Sequence, residues 1–292
     1  MHPDIERISH LIDAFPYIRQ FCGKTFVVKC GGAAITDLIQ MQNMMQDIAL
    51  LHFCGIHSII IHGGGPEIST MCDRLQIPTQ FSNGQRVTDA TTMEIVQMVL
   101  VGKTNGALVT ALNQLGVKAV GLSGQDAAFF QAKKFTYPEE YSLQNTDLGF
   151  VGDVVAIDPK LITTLLTAGF VPVIAPIGVD GQGQTYNVNA DIAAGAMASS
   201  LAAEKLIILS DVNGVYADLN DPSTRLSSVK TNLIKHWLQE GDISGGMIPK
   251  LEACVRAIEQ GVSSAHILDG KIQHSLLLGI FTDEGVGTVI TS

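Results

Sequence analysis

The chain is short of charge, and of positive charge above all. Charged residues make up 16% of its 292 residues, and 18 Lys plus Arg stand against 28 Asp plus Glu, for a formal charge of −10. No basic stripe runs along it, which excludes the phosphate-neutralising surface that nucleic-acid binding requires. An anionic ligand has to be met by a local site instead. Cysteine is equally thin: Cys22, Cys30, Cys54, Cys72 and Cys254 are odd in number and widely spaced, and no Cys-x-x-Cys pair occurs. Neither a disulfide framework nor a zinc cage is indicated, and a cytoplasmic location is expected. The opening Met1-His2-Pro3-Asp4-Ile5-Glu6 has no basic start and no apolar core, so secretion is not expected. The uncharged run 161–179 is divided by Gly169, Pro172 and Pro176 and reads as a helix end and a buried strand, not a membrane span. The nucleotide fingerprints Gly-x-x-x-x-Gly-Lys-Ser/Thr and Gly-x-Gly-x-x-Gly after the first strand are also missing.

What is present is apolar. Hydrophobic residues make up 46% of the chain, enough to exclude disorder and to cover a sheet on both faces. Short β-branched runs at 26–29, 59–62, 119–122, 171–175, 206–210 and 265–269 alternate with helical stretches at 38–53, 91–115, 159–168, 191–203 and 249–261. That alternation predicts an α/β fold with an open, mainly parallel sheet sandwiched by helices, whose ligands bind at the strands' carboxyl ends. Ile5, Ile8, Leu11, Ile12 and Phe15 predict an amphipathic extension helix that stops at Pro16. Residues 129–150 read as a hairpin laid on the sheet edge, and 215–227 as a loop.

Two apolar runs end in glycines, Lys29-Cys30-Gly31-Gly32 and His62-Gly63-Gly64-Gly65-Pro66. Such ends present bare N–H groups that an anion can approach without meeting a Cβ. Either glycine cluster taken singly is better explained by a tight turn, but Lys29 has no structural task at a strand end. Arg86, in Gly84-Gln85-Arg86-Val87-Thr88, offers a guanidinium fork for a carboxylate, although on its own it is equally a loop arginine. Asp191, in Asn187-Val188-Asn189-Ala190-Asp191, stands at the mouth of an almost uncharged helix, where an N-cap is the competing explanation. Ser210 and Asp211 end an apolar strand at a position suited to a nucleotide, and Lys250 follows the flexible Gly245-Gly246 pair at a helix start. A cation there is unfavourable on dipole grounds unless it answers an anion.

In this order, together with Val120-Gly121-Leu122-Ser123-Gly124, these residues resemble the amino-acid kinase superfamily and, within it, the N-acetyl-L-glutamate kinases, over nearly the whole chain. The resemblance implies transfer of the γ-phosphoryl of ATP to the side-chain carboxylate of N-acetylglutamate, with Mg²⁺ bridging the phosphates and no protein side chain assigned to the metal. Lys29 and Lys250 are then expected to contact the phosphoryl group, with Asp191 holding both. Gly31 and Gly32 would donate to its oxygens, and Ser210 and Asp211 would belong to the nucleotide site. Gly64, Gly65, Arg86, Asn187 and Asn189 would bind the acetylated amino acid. Implied too are an oligomerisation helix over 1–22, a substrate lobe over 23–195, a nucleotide lobe over 196–292, and a homohexamer with arginine feedback.

Two departures qualify this. Gly279 stands where such kinases usually carry a Glu that pairs with arginine, so weak or absent arginine inhibition is expected. Cys30 and Ala33 replace an aromatic and an Asn or His, which leaves Lys29 and the glycines untouched. The rival readings are another amino-acid or carbamate kinase, a catalytically silent subunit sensing arginine or nucleotide, and an NAD-dependent dehydrogenase. Arg86 and the 187–191 run disfavour the first, the retained lysines the second, and the missing dinucleotide fingerprint the third.

Overall fold

A computed structural model describes residues 5–82, 84–137, 147–218, 221–243, 245–282 and 286–292. Residues 1–4 of the extension and the side chain of Ala33 lie outside the described residues. An eight-stranded sheet runs in the order Ser228–Lys230, Thr288–Thr291, Ser264–Asp269, Lys205–Ser210, Thr25–Cys30, His57–His62, Val171–Ala175, Ala119–Ser123. The last six are parallel, and the first two run opposite to them. All six predicted strands are therefore present, with their ends shifted by a residue or two.

The central strands are buried on both faces, and the two-residue side-chain period divides their apolar residues between two cores. Val27, Ile59, Ile61 and Ile208 face the helices Ala190–Ser200 and Met247–Glu259, whereas Phe26, Val28, Ile60 and Ile207 face the helix Leu38–Phe53. Lys29 shares the parity of Val27, so it emerges on the side of the first two helices. The helix Ala190–Ser200 owes its fit to small residues: a Cβ on Gly195 would lie 2.9 Å from the Ala253 carbonyl oxygen. This close crossing carries the helix Met247–Glu259, and Lys250 with it, up to Asp191.

Three expectations need correction. The hairpin expected over 129–150 is not laid on the sheet edge. Phe130–Lys134 pairs antiparallel with Val151–Ile157 inside a small closed barrel completed by Ile177–Val179 and Thr185–Val188. Phe129, Phe130 and Ala132 are fully buried there, which an edge hairpin would not permit; residues 138–146 between the strands lie outside the described residues. The N-terminal helix does not stop at Pro16 but runs Ile5–Phe21 with the proline inside it. Past the proline, Phe21 is buried and lies edge-to-face on Phe26 with ring centroids 5.3 Å apart, which ties the end of the helix to the core. Third, 215–227 is not all loop, since Val215–Tyr216 pairs antiparallel with Arg225–Leu226.

The run 161–179 resolves into the helix Lys160–Thr167 and the strand Val171–Ala175. The helical run Ala90–Gln114 is long and apolar enough to cross a membrane by composition, but it packs Val96, Val99, Leu100, Leu108 and Leu112 into the core. It is not uniform: between Ala90–Gln97 and Asn105–Gln114 the segment Met98–Thr104 is a π-helix.

Candidate active site

Every residue singled out above as a site candidate lines one cleft of about 430 Å³ at the carboxyl ends of the parallel strands. At its floor Asp191 bridges two lysines. Its Oδ1 lies 2.8 Å from Lys29 Nζ and its Oδ2 3.0 Å from Lys250 Nζ, with Asp191 only 4% and Lys29 only 7% exposed. Burial alone pushes the Asp191 pKa up, but the charges and hydrogen bonds of the two lysines together outweigh it and hold the carboxyl below its ordinary value. The N-cap of this helix is Asn189, whose Oδ1 accepts from Asp191 N at 2.8 Å and Ile192 N at 3.2 Å. Asp191 is thus released from capping and free to hold the lysines.

The glycine ends lie against one another. A Cβ on Gly31 would fall 2.9 Å from the Leu209 carbonyl oxygen, and one on Gly32 would fall 2.8 Å from Pro66 Cδ. Gly31 N donates to Leu209 O at 3.1 Å, so its N–H is already used. Gly32 opens the short helix Gly32–Thr36, where first-turn N–H groups have no intrahelical acceptor and are available to an anion.

Arg86 is 7% exposed and held on three sides. One guanidinium nitrogen, Nη2, donates to Gly65 O at 3.0 Å and Ser69 Oγ at 2.7 Å, and the plane lies 4.7 Å over the Phe81 ring. Its Nη1 has no partner among the described residues, and desolvation draws its pKa down. A buried donor left open in a cleft is placed to receive a carboxylate. Asn187 Nδ2 reaches Thr88 Oγ1 at 3.4 Å, and at the far end Ser210 Oγ donates to Asp211 Oδ1 at 3.1 Å. Ser69 and Phe81 went unnoticed in the sequence because a serine and an exposed aromatic carry no periodic or motif signal. A second cavity, about 540 Å³, lies beside the Lys250 helix, lined by Tyr216, Trp237, Ile243, Met247 and Leu251 with Asp218 and Asp242. The chain's single tryptophan was the available pointer to it. Among the described residues no group of three or more His, Cys, Asp or Glu side chains is arranged to hold a metal.

The amino acid kinase family matches residues 24–269. The chain is 55% identical to the acetylglutamate kinase of Symbiobacterium thermophilum over 98% of both chains, and 49% identical to that of Thermoanaerobacter pseudethanolicus over 98% of this chain and 94% of the other. Among solved structures, it superposes on N-acetylglutamate synthase of Neisseria gonorrhoeae, complexed with coenzyme A and N-acetyl-glutamate, with TM-score 0.84 and 26% identity. That match covers 98% of this chain but 63% of the synthase chain. Carbamate kinase of Giardia lamblia bound to AMP-PNP shares the fold, with TM-score 0.67 and 17% identity over 92% of this chain and 99% of the other.

Proposed function

The chain belongs to the amino acid kinase family, and on that premise we propose that it transfers the γ-phosphoryl group of ATP to the side-chain carboxylate of N-acetyl-L-glutamate, a step of arginine biosynthesis. The observation that carries this is the Lys29–Asp191–Lys250 bridge on the floor of a glycine-walled cleft. The nucleophile is already ionised at neutral pH, so the protein needs no general base. Its task is to align two anions and to neutralise the charge of the transferring group. Lys29 and Lys250 take that charge from two sides and Gly32 donates to it; with the Gly31 N–H spent on Leu209 O, Gly64, expected from the resemblance on the side of the acetylated amino acid, adds its N–H to the same group. Arg86, with its open Nη1, receives the α-carboxylate of the acetylated amino acid, beside Gly65, Asn187 and Asn189. The second cavity supports a seat for the adenine base, with Trp237 and Met247 as its apolar walls, while Ser210 and Asp211 line the cleft that receives the phosphates.

Both oxygens of Asp191 are engaged by lysines, which leaves Asp211 as the acidic group in the cleft. Such a donor set suits Mg²⁺ that arrives on the nucleotide phosphates and keeps most of its waters. When bound there the ion supplies further neutralisation of the phosphate oxygens.

The substrate lobe over 23–195 and the nucleotide lobe over 196–292 join within the helix Ala190–Ser200 and share one sheet. The N-terminal helix leaves Ile8, Leu11, Ile12 and Phe15 between 54% and 67% exposed, which supports assembly through residues 1–22 into a hexamer. Gly279 offers no carboxylate to a guanidinium, and a Cβ there would lie 2.9 Å from Leu268 Cδ1 and would have to displace that methyl group, so arginine inhibits weakly. The enzyme works in the cytoplasm. The decisive experiment offers ATP with N-acetylglutamate, glutamate, aspartate and carbamate in turn, follows ADP release and traps the acyl phosphate with hydroxylamine. Turnover with carbamate alone, or with none of the four, overturns this reading.

A further inference from the structure

His62 ends its strand directly before Gly63-Gly64-Gly65, is fully buried, and does not line the cleft. Its Nδ1 lies 2.9 Å from the carbonyl oxygen of Gly63, the next residue, and its Nε2 lies 3.2 Å from Asn105 Nδ2. The orientation of the Asn105 amide is fixed by its surroundings. The same nitrogen lies 2.9 Å from Val173 O and 3.5 Å from Leu122 O, so turning the amide over would set its oxygen against two carbonyl oxygens. Asn105 therefore donates to Nε2, and Nε2 is the acceptor. A neutral imidazole then carries its proton on Nδ1 and donates it to Gly63 O. The other tautomer would oppose N–H to N–H at one nitrogen and lone pair to lone pair at the other. Burial keeps the ring neutral, drawing its pKa down to about 4.

The bond fixes a peptide plane. In a trans peptide the C=O of Gly63 and the N–H of Gly64 point to opposite sides, so anchoring the carbonyl on His62 turns the Gly64 N–H away from the ring. Gly64 lines the cleft, and its N–H donates to no backbone acceptor among the described residues. The glycine lets Leu100 approach closely, since a Cβ would lie 2.4 Å from Leu100 Cδ2 and 3.6 Å from Thr104 Oγ1. Leu100 and Thr104 both belong to the π-helix that immediately precedes Asn105, and Gly121 admits the Asn105 amide, whose Oδ1 lies 2.0 Å from the place of a Cβ on that glycine. One widened turn thus packs over Gly64 and sets the amide that fixes the imidazole.

We propose that Asn105 and His62 are positioning residues for phosphoryl transfer: Asn105 selects the Nδ1–H tautomer of His62, which locks the Gly63–Gly64 peptide so that Gly64 N–H is aimed at the reacting oxygens. This rests on the reading of the cleft as the phosphoryl-transfer site. It is tested with a pair of isosteres. Asn at position 62 places an amide N–H where Nδ1–H stood, whereas Gln at position 62 reproduces the Nε2 side and leaves Gly63 O without a donor. H62N is expected to keep most of the wild-type kcat. H62Q should lose about 10²-fold in kcat with KM for ATP little changed, the loss typical of a misaimed oxyanion donor. In the wild type, ¹⁵N shifts of the ring should report a protonated Nδ1 and a bare Nε2. N105A, which frees the ring without altering it, should lower kcat about tenfold, the worth of one hydrogen bond. It serves in place of H62Q if that variant does not fold. A ring protonated on Nε2, H62Q turning over like H62N, or N105A at wild-type kcat overturns the proposal. Lys29→Met separates the two levels: if it is inactive while H62Q and N105A are normal, only the relay fails, and if it turns over normally, the reading of the cleft fails.

Discussion

Replacing Asp191 with asparagine removes the charge that keeps Lys29 and Lys250 within 3.0 Å of one carboxylate, at nearly constant volume. Loss of one partner from a buried ion pair costs about 3–5 kcal/mol. Here the lower end applies, because Lys250 retains 14% side-chain exposure and can recover water across the open cleft. On the role proposed for the bridge, the catalytic loss follows from geometry: two ammonium groups no longer held by a common anion separate and would cease to grip the transferring group from both sides. Misplacing such donors lowers kcat by about 10²–10³. ATP binding responds in the other direction. In D191N the two uncompensated cations meet the polyphosphate, so KM for ATP stays level or falls, and ATP recovers more of the lost stability than it adds to the wild type. Coupled ADP release gives kcat and KM, and urea unfolding with and without nucleotide gives the stability difference. D191N with kcat within threefold of wild type, or with unchanged stability in the absence of ATP, would refute the account of the bridge.

Gly64→Ala inserts a methyl 2.4 Å from Leu100 Cδ2 and should cost about 1–3 kcal/mol in urea unfolding, part of it recovered by adding Leu100→Ala. His62, neutral with its pKa drawn from 6.5 to about 4, binds a proton in the unfolded chain first, so its contribution is complete above pH 6.5 and disappears as pH falls toward 4. It removes about 2 kcal/mol of stability by pH 5, and urea curves at pH 7.5 and 5 should diverge less in H62N than in wild type. Trp237→Ala should raise KM for ATP with kcat largely kept, and an unchanged KM removes the second cavity from the nucleotide site. Leu11→Glu with Phe15→Glu should lower the particle mass in light scattering without loss of helix content by circular dichroism.

Much of this was legible from order along the chain. Lys29 could be read as functional because a buried strand otherwise excludes a lone ammonium, and the six core strands because unbroken β-branched runs allow few other placements. The Asp191 cap was not decidable in sequence: Asn189 and Asp191 both cap well, and only the backbone at Asn189, extended with φ −60° and ψ 128°, identifies which one does. The small barrel escaped because strands of three to seven residues with glycines and bulges show little alternation. The π-turn was hidden for a related reason, since one widened turn barely disturbs a helical period averaged over Ala90–Gln114. Pro16 misled because the rule for helix ends is local, whereas the chain beyond it is tied to the core at Phe21.

The crossing of the two helices at Gly195 and Ala253 has a mechanical side. Knobs set into holes resist sliding, and at this point neither helix offers a knob, only backbone against methyl. Resistance to displacement of one helix along the other comes instead from Met197, Leu251 and Cys254, buried in the same core, and from the catch at its end, Lys250 on Asp191. If a phosphate is taken up there as proposed, it competes for that same ammonium, and the ligand that the joint must accommodate weakens one of the contacts that hold it.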